Sequence, residues 1–332
     1  FVTRPGLNDS SCLRALTQRL TGASSSRCMN RSSWTVACCK VEEISGCLMT
    51  TITLLGTGLL GAAIGQRLLD VGCTLNVWNR NPTRCAGLVQ AGAQQLNLPG
   101  EGLDSSSVVI TVLRDGPVTA EIIGSLGPLA GRCIVPMGTM GISESVSLAE
   151  QVRLQGGSYL EAPVLGSRPE ALKGSLLVMA GGEQDVFEAQ LPLLRQLASE
   201  PRLMGAVGTG AASKLALNQL IASLTHGYSL ALRLVQASGL DVDRFMEVLR
   251  PSALYAPTVD KKLERMMSHH YGDPNFSTSL LRKDLKLFLR EARLAGVDAS
   301  ALDGLASLLE RATGTDLDVG DYSALHELTD GR

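Results

Sequence analysis

Apolar positions along this chain fall into two regimes. From residue 51 to about 205, short apolar runs alternate with longer amphipathic stretches. Thr51–Leu55, Thr74–Trp78, Val108–Leu113, Cys133–Val135, Tyr159–Ala162 and Leu176–Ala180 have the length and residue types of strands. Ala62–Asp70, Ser143–Leu154 and Val186–Leu197 have the period of helices. That alternation predicts a doubly wound, mainly parallel sheet. Beyond about Gly208 the strand signals stop and alanine and leucine dominate. Gly210–Ser238 predicts one long helix, with Leu217, Leu220, Ile221, Leu224 and Tyr228 near helical spacing. Asp241 reads as the N-cap of the next helix, and further helical patterns cover Thr258–Met267, Ser279–Leu294 and Ala301–Ala312. The fold class is therefore α/β: a doubly wound sheet first, then an all-α domain.

The first segment stands apart. Residues 1–48 hold five of the eight cysteines, eight serines, and six basic side chains against three acids. They sustain no apolar period. Their composition is that of a non-core leader, either an upstream extension or a transit-like segment. We expect three parts: the leader (1–48), a dinucleotide-binding domain (49–207) and an all-helical substrate and dimerisation domain (208–332). The whole chain has a net charge of −2 and lacks a broad basic excess, which disfavours a nucleic-acid partner. No uncharged apolar stretch reaches 18 residues, so no membrane span is expected. After the leader only Cys73, Cys85 and Cys133 remain, an odd number with no pairing pattern. They fit a reducing, cytoplasmic compartment; a transit role for the leader would instead place the protein in a plastid or mitochondrion. No cysteine–histidine spacing suggests a metal site.

The clearest chemistry lies after the first strand. Gly56-Thr57-Gly58-Leu59-Leu60-Gly61 is a G-x-G-x-x-G turn between an apolar strand and a helix, the context of a dinucleotide-binding, Rossmann-type fold. Gly56 permits the tight turn, Gly58 leaves room for the pyrophosphate, and Gly61 allows close packing. The second strand ends at Trp78 and is followed by Asn79 and Arg80. A carboxylate there would hold a ribose 2′-hydroxyl and repel a 2′-phosphate. A neutral Asn79 beside Arg80 predicts NADP, used as NADPH.

Three further motifs, in order, extend the pattern. They are Glu161-Ala-Pro-Val-Leu165-Gly166-Ser167; Gly205-Ala-Val-Gly208-Thr-Gly210-Ala-Ala-Ser-Lys214-Leu-Ala-Leu-Asn218; and Lys283-Asp284. With the glycine turn they resemble the β-hydroxyacid dehydrogenase family, which includes 3-hydroxyisobutyrate dehydrogenase, glyoxylate/succinic semialdehyde reductase and 6-phosphogluconate dehydrogenase. The resemblance covers the chain from about Thr51 onward and leans toward the glyoxylate/succinic semialdehyde reductases. It implies Lys214 as the catalytic lysine, with Leu165, Gly166, Ser167 and Asn218 at the substrate. It also implies Leu113, Thr139 and Lys283 on the cofactor side. Two departures stand out: Leu165 occupies a position where a serine is usual, and Gly138 replaces the first residue of a Ser-Thr pair, leaving Thr139.

Lys214 and Asn218 are four residues apart, so a helix presents them on one face. Reduction of a carbonyl leaves negative charge on oxygen, which an ammonium can stabilise and protonate. The expected activity is NADPH-dependent reduction of a small aldehyde acid such as glyoxylate or succinic semialdehyde. Alternatives are oxidation of a 3-hydroxy acid such as 3-hydroxyisobutyrate, imine reduction on the same scaffold, and a non-catalytic dinucleotide-binding protein. Arg168 and Tyr255 are further pocket candidates. The alanine-rich long helix suggests a homo-oligomer.

Overall fold

The structure is a computed structural model and describes residues 51–331. The reading of residues 1–48 as a leader lies outside these residues. The strands are β1 (Thr51–Leu55), β2 (Thr74–Trp78), β3 (Gln94–Gln95), β4 (Val108–Thr111), β5 (Cys133–Pro136), β6 (Ser158–Glu161), β7 (Val164–Leu165), β8 (Leu177–Gly182) and β9 (Arg202–Gly205). They form one sheet in the order β3-β2-β1-β4-β5-β6-β8-β7, with β9 on β8. From β3 to β6 every pairing is parallel; β8 then runs antiparallel to β6 and β7. The order reverses beside β1, which pairs with β2 on one side and β4 on the other. A reversal of this kind opens a crevice at the carboxyl ends of the strands.

Helices cover both faces, and this is why β1, β4 and β5 carry almost unbroken apolar runs. One face packs Ile52, Leu54, Leu75 and Val77 against α1 (Leu59–Asp70), α2 (Ala86–Gln90) and the amphipathic helix Gln184–Leu197. The other packs Leu55, Val109 and Ile134 against α3 (Gly116–Gly124) and α4 (Ile142–Leu154). α5 (Arg168–Lys173) lies between β7 and β8, and α6 is the Gln184–Leu197 helix.

The rest of the described chain is helical. α7 (Thr209–Ala237) has 29 residues, about 43 Å at 1.5 Å per residue. It is followed by α8 (Val242–Leu249), α9 (Thr258–Ser268), α10 (Thr278–Leu294), α11 (Asp303–Glu310) and short turns to Leu328. Asp241 caps α8 by accepting from the Asp243 and Arg244 amides. α10 packs along α7 through Leu281, Leu285 and Ala222.

Sequence patterning missed the helices α2, α3 and α5 and the strands β3, β7 and β9. β3 and β7 have two residues each, too short for any period. α3 did carry a signal: Asp115 accepts from the Val118 amide as N-cap, and Pro117 sits in the first turn.

Candidate active site

The carboxyl ends of β1, β4 and β5 lie side by side because the three strands are parallel. The glycine turn leaves the first of them. Gly56 has φ +102° and donates its amide to the Trp78 carbonyl at 2.8 Å. A Cβ on Gly56 would lie 2.4 Å from the Val112 carbonyl oxygen, and one on Gly61 only 2.0 Å from the oxygen of Gly56. A Cβ on Gly58 would meet nothing within 4 Å. Gly58 is the N-cap of α1, with no side-chain cap and no acid in the first turn. No side chain caps the start of α1 among the described residues, and the space beside Gly58 is open, as an anion-binding helix start requires.

Asn79 does more than leave room for a phosphate. Its Oδ1 accepts from the Thr57 amide at 3.1 Å, and its Nδ2 donates to the Asn81 carbonyl at 3.0 Å. The end of β2 thereby holds the glycine turn, and Arg80 beside it is exposed. The Gly138 departure also has a physical cause. A Cβ there would sit 2.6 Å from the backbone oxygen of Leu113, so the loops after β4 and β5 meet only if residue 138 is glycine. Leu113 and Thr139 are both half-buried at this junction.

The other side of the crevice is built from side chains. Lys214 and Asn218 lie in the first turns of α7, and Lys283 and Asp284 on α10. Asn218 and Asp284 are each 2% exposed. The Asn218 Nδ2 donates to Asp284 Oδ2 at 2.5 Å, across 66 residues of sequence. Lys283 Nζ lies 2.7 Å from Asp284 Oδ1 and also donates to the Thr139 carbonyl at 3.2 Å. The Asn218 Oδ1 is buried without a partner among the described residues. Lys214 makes no ion pair among the described residues. Burial depresses its pKa to about 8, with Lys283 pushing the same way and Asp284 opposing. A desolvated ammonium titrating near neutral pH is suited to giving and taking a proton.

A buried carboxylate seats the helix that carries Lys214. Glu161, 2% exposed at the end of β6, accepts through Oε1 from the amides of Gly208 (2.8 Å), Gly210 (2.7 Å) and Ala211 (3.3 Å). Its other oxygen accepts from the Ser145 hydroxyl, which in turn pairs with the Tyr159 hydroxyl at 2.7 Å. Burial raises the Glu161 pKa, and these bonds oppose that rise. A Cβ on Gly210 would meet the Met179 carbonyl at 2.4 Å, so glycine lets α7 close onto β8. In the sequence Glu161 is visible only as part of a motif. Its role as a cap requires contacts some fifty residues away, which no local pattern carries.

The remaining candidates separate. Leu165 is half-buried on β7, which touches α7, and Gly166 follows with φ +125°. Ser167 commits both its amide and its hydroxyl to Glu170, each at 2.8 Å, in a capping box for α5. Neither Ser167 group is therefore free for a substrate carboxylate in this conformation. Arg168 is exposed. Tyr255 donates to Asp260 at 2.6 Å and packs with Tyr228 and Met246 in the helical core rather than beside Lys214.

The sequence relatives agree with this geometry. Residues 51–208 match the NAD binding domain of 6-phosphogluconate dehydrogenase, and residues 208–329 match the NAD-binding domain of NADP-dependent 3-hydroxyisobutyrate dehydrogenase. Chloroplastic glyoxylate/succinic semialdehyde reductase 2 of Arabidopsis thaliana is 28% identical over 282 residues, covering 83% of this chain and 78% of the plant protein. Glyoxylate/succinic semialdehyde reductase 1 of the same plant is 28% identical over 281 residues, covering 83% and 97%. The structure of Mycobacterium tuberculosis 3-hydroxyisobutyrate dehydrogenase with L-serine has the same fold, with a TM-score of 0.77 at 24% identity over 85% of this chain and 100% of that one. With both domains matched in order and the glycine turn and lysine cluster meeting at one crevice, the chain belongs to the β-hydroxyacid dehydrogenase family of NAD(P)-binding oxidoreductases.

Proposed function

We propose that this protein is an NADPH-dependent reductase of a small aldehyde acid of the glyoxylate or succinic semialdehyde type. The observation that carries this reading is Lys214: a desolvated lysine with no ion pair among the described residues, beside Asn218, Asp284 and Lys283 where α7 and α10 meet the loop after β5. The open helix start at Gly58 fits a pyrophosphate, and Lys283 lies on the side of the crevice where the nicotinamide would reach. The neutral Asn79 and exposed Arg80 support NADP over NAD.

When bound, the dinucleotide supplies a hydride to the carbonyl carbon. Lys214 stabilises the charge that develops on the carbonyl oxygen and delivers a proton to it. Asn218, on the next turn of the same helix, presents its Oδ1, which accepts from the Lys214 ammonium or, once the oxygen is protonated, from the product hydroxyl. The Gly166 backbone and Leu165 border the rest of the substrate. Oxidation of a 3-hydroxy acid is the reverse of this step, with Lys214 as the base. The same reading includes a homo-oligomer, supported by Leu220, Leu224, Leu230 and Leu234 exposed along one side of α7, and a cytoplasmic site of action, supported by the buried thiols Cys85 and Cys133. Among the described residues no helix is long and apolar enough to cross a membrane.

The test is NADPH consumption with a panel of small aldehydes and keto acids, run beside NADP+ reduction with 3-hydroxy acids. Turnover of aldehyde acids that exceeds oxidation of every 3-hydroxy acid supports the proposal. Oxidation alone would reverse the assigned direction, and no turnover in either would reject it.

A further inference from the structure

We propose that Asp284 is a positioning residue that couples the substrate side of the crevice to the cofactor side, by fixing which atom Asn218 presents and by holding the charge balance around Lys214. The proposal rests on reading Lys214 as the proton donor, and the titration that decides its charge-balance part does not depend on turnover.

A carboxylate only accepts hydrogen bonds, so the Asn218 amide must turn its nitrogen toward Asp284. The 2.5 Å bond from Nδ2 to Oδ2 does this, and it leaves the Asn218 Oδ1 as a buried, unpartnered acceptor. That oxygen lies one turn from Lys214 on the same helix. It can accept only from an N–H or O–H, which suits the Lys214 ammonium or a substrate hydroxyl and excludes a substrate carboxylate. The other Asp284 oxygen holds Lys283, whose Nζ also reaches the Thr139 carbonyl on the loop after β5. One buried carboxylate thus anchors Asn218 of α7 and Lys283 of α10, and through Lys283 it is linked to the loop after β5.

The charged groups facing Lys214 are Asp284 and Lys283, both from α10. Among other elements packed on the start of α7, β7 and β8 carry no ionisable side chain. The Arg202 of β9 is paired with Glu200. On α4, Glu144 is paired with Arg290, and Glu150 with Arg153. Glu161 is committed to backbone amides and Ser145. The α10 residues Arg290 and Glu291 pair with each other. The balance at Lys214 is therefore set by one carboxylate and one competing cation.

The experiment is an NMR titration of the full chain with 13C-labelled lysine side chains, the Lys214 signal being assigned by its loss in Lys214→Ala. Asp284→Asn should lower the Lys214 midpoint by about one pH unit, because the opposing carboxylate is gone. Lys283→Met, at a more exposed position and expected to fold normally, should raise it. Opposite displacements support the coupling. Two unmoved midpoints, or two that move the same way, would overturn it. If Asp284→Asn fails to fold, Lys283→Met decides alone: a midpoint that stays or falls refutes the proposal. A kinetic arm adds the Asn218 link. Asp284→Asn and Asn218→Ala should each raise KM, with the double variant no worse than the poorer single one, whereas multiplied effects would place the two residues in separate roles. A normal titration result with Lys214→Ala still fully active would instead refute the assigned chemistry and leave the coupling intact.

Discussion

The two walls of the crevice are made in opposite ways. The cofactor wall is backbone: a turn at positive φ, glycines where a Cβ would strike a carbonyl oxygen at 2.0 or 2.4 Å, and a helix start with no side-chain cap. The chemical wall is side chains: Lys214, Asn218, Lys283 and Asp284, brought together from two helices and held by one buried carboxylate. A backbone wall grips any ligand with the right phosphate geometry and discriminates little. A side-chain wall can be altered one residue at a time without disturbing the sheet beneath it. Variants should therefore divide: changes on the first wall act on folding and dinucleotide affinity, changes on the second on rate, proton dependence and substrate choice.

The largest effect should come from Lys214→Ala, which removes the proposed proton donor and should cost at least about 10²-fold in kcat. Steady-state kinetics with a separate NADPH titration checks it; intact kcat with weakened NADPH binding would move Lys214 to the cofactor wall. Lys214→Arg should restore little, since a guanidinium holds its proton too tightly. Proton dependence sharpens the same point. Reduction needs protonated Lys214, so with its pKa depressed to about 8 the rate should hold below that pH and fall above it, while oxidation should rise through the same range. Next come two matched glycine variants. Gly61→Ala drives a methyl into the Gly56 oxygen and should destabilise the fold by about 1–3 kcal/mol. Gly58→Ala, pointing into open space, should leave Tm unchanged and weaken NADPH binding alone. Calorimetry with and without dinucleotide separates them, and equal loss of Tm in both would erase the distinction.

Cofactor choice follows. Asn79→Asp with Arg80→Ser should shift preference toward NADH by about tenfold or more, since a carboxylate repels a 2′-phosphate. Comparing kcat/KM for the two dinucleotides tests it, and equal use of both by the unaltered protein would remove its basis. The smallest effect belongs to Leu165→Ser. A hydroxyl donor at the substrate border should lower KM for glyoxylate about threefold. An unchanged profile across aldehydes of different size would show that Leu165 does not reach the substrate.

The first wall was largely legible in the sequence because it is local. Strand, turn and helix follow one another within residues 51–70, and β1 and β2 begin and end where the apolar runs do. Gly138 was visible only as a departure, since its reason is the Leu113 oxygen brought close by the neighbouring strand. Lys214, Asn218 and Lys283 were found through resemblance and helical spacing. The bond from Asn218 to Asp284 spans 66 residues, and a pattern read along one helix cannot express it. The commitment of Ser167 is local by contrast: Glu170, three residues on, accepts from its amide and completes a capping box that the motif itself displays.

Glu161 has a consequence for how activity arises during folding. Its bonds reach residues 47 to 50 positions further along, and it sits on β6, which is secured only once β5 and β8 have paired with it. Such long-range contacts close late, after the loops between them have been ordered. The start of α7 therefore has its socket only when the sheet is complete. A chain that forms the helix before β6 has paired lacks the Glu161 anchor that seats the residues just ahead of Lys214.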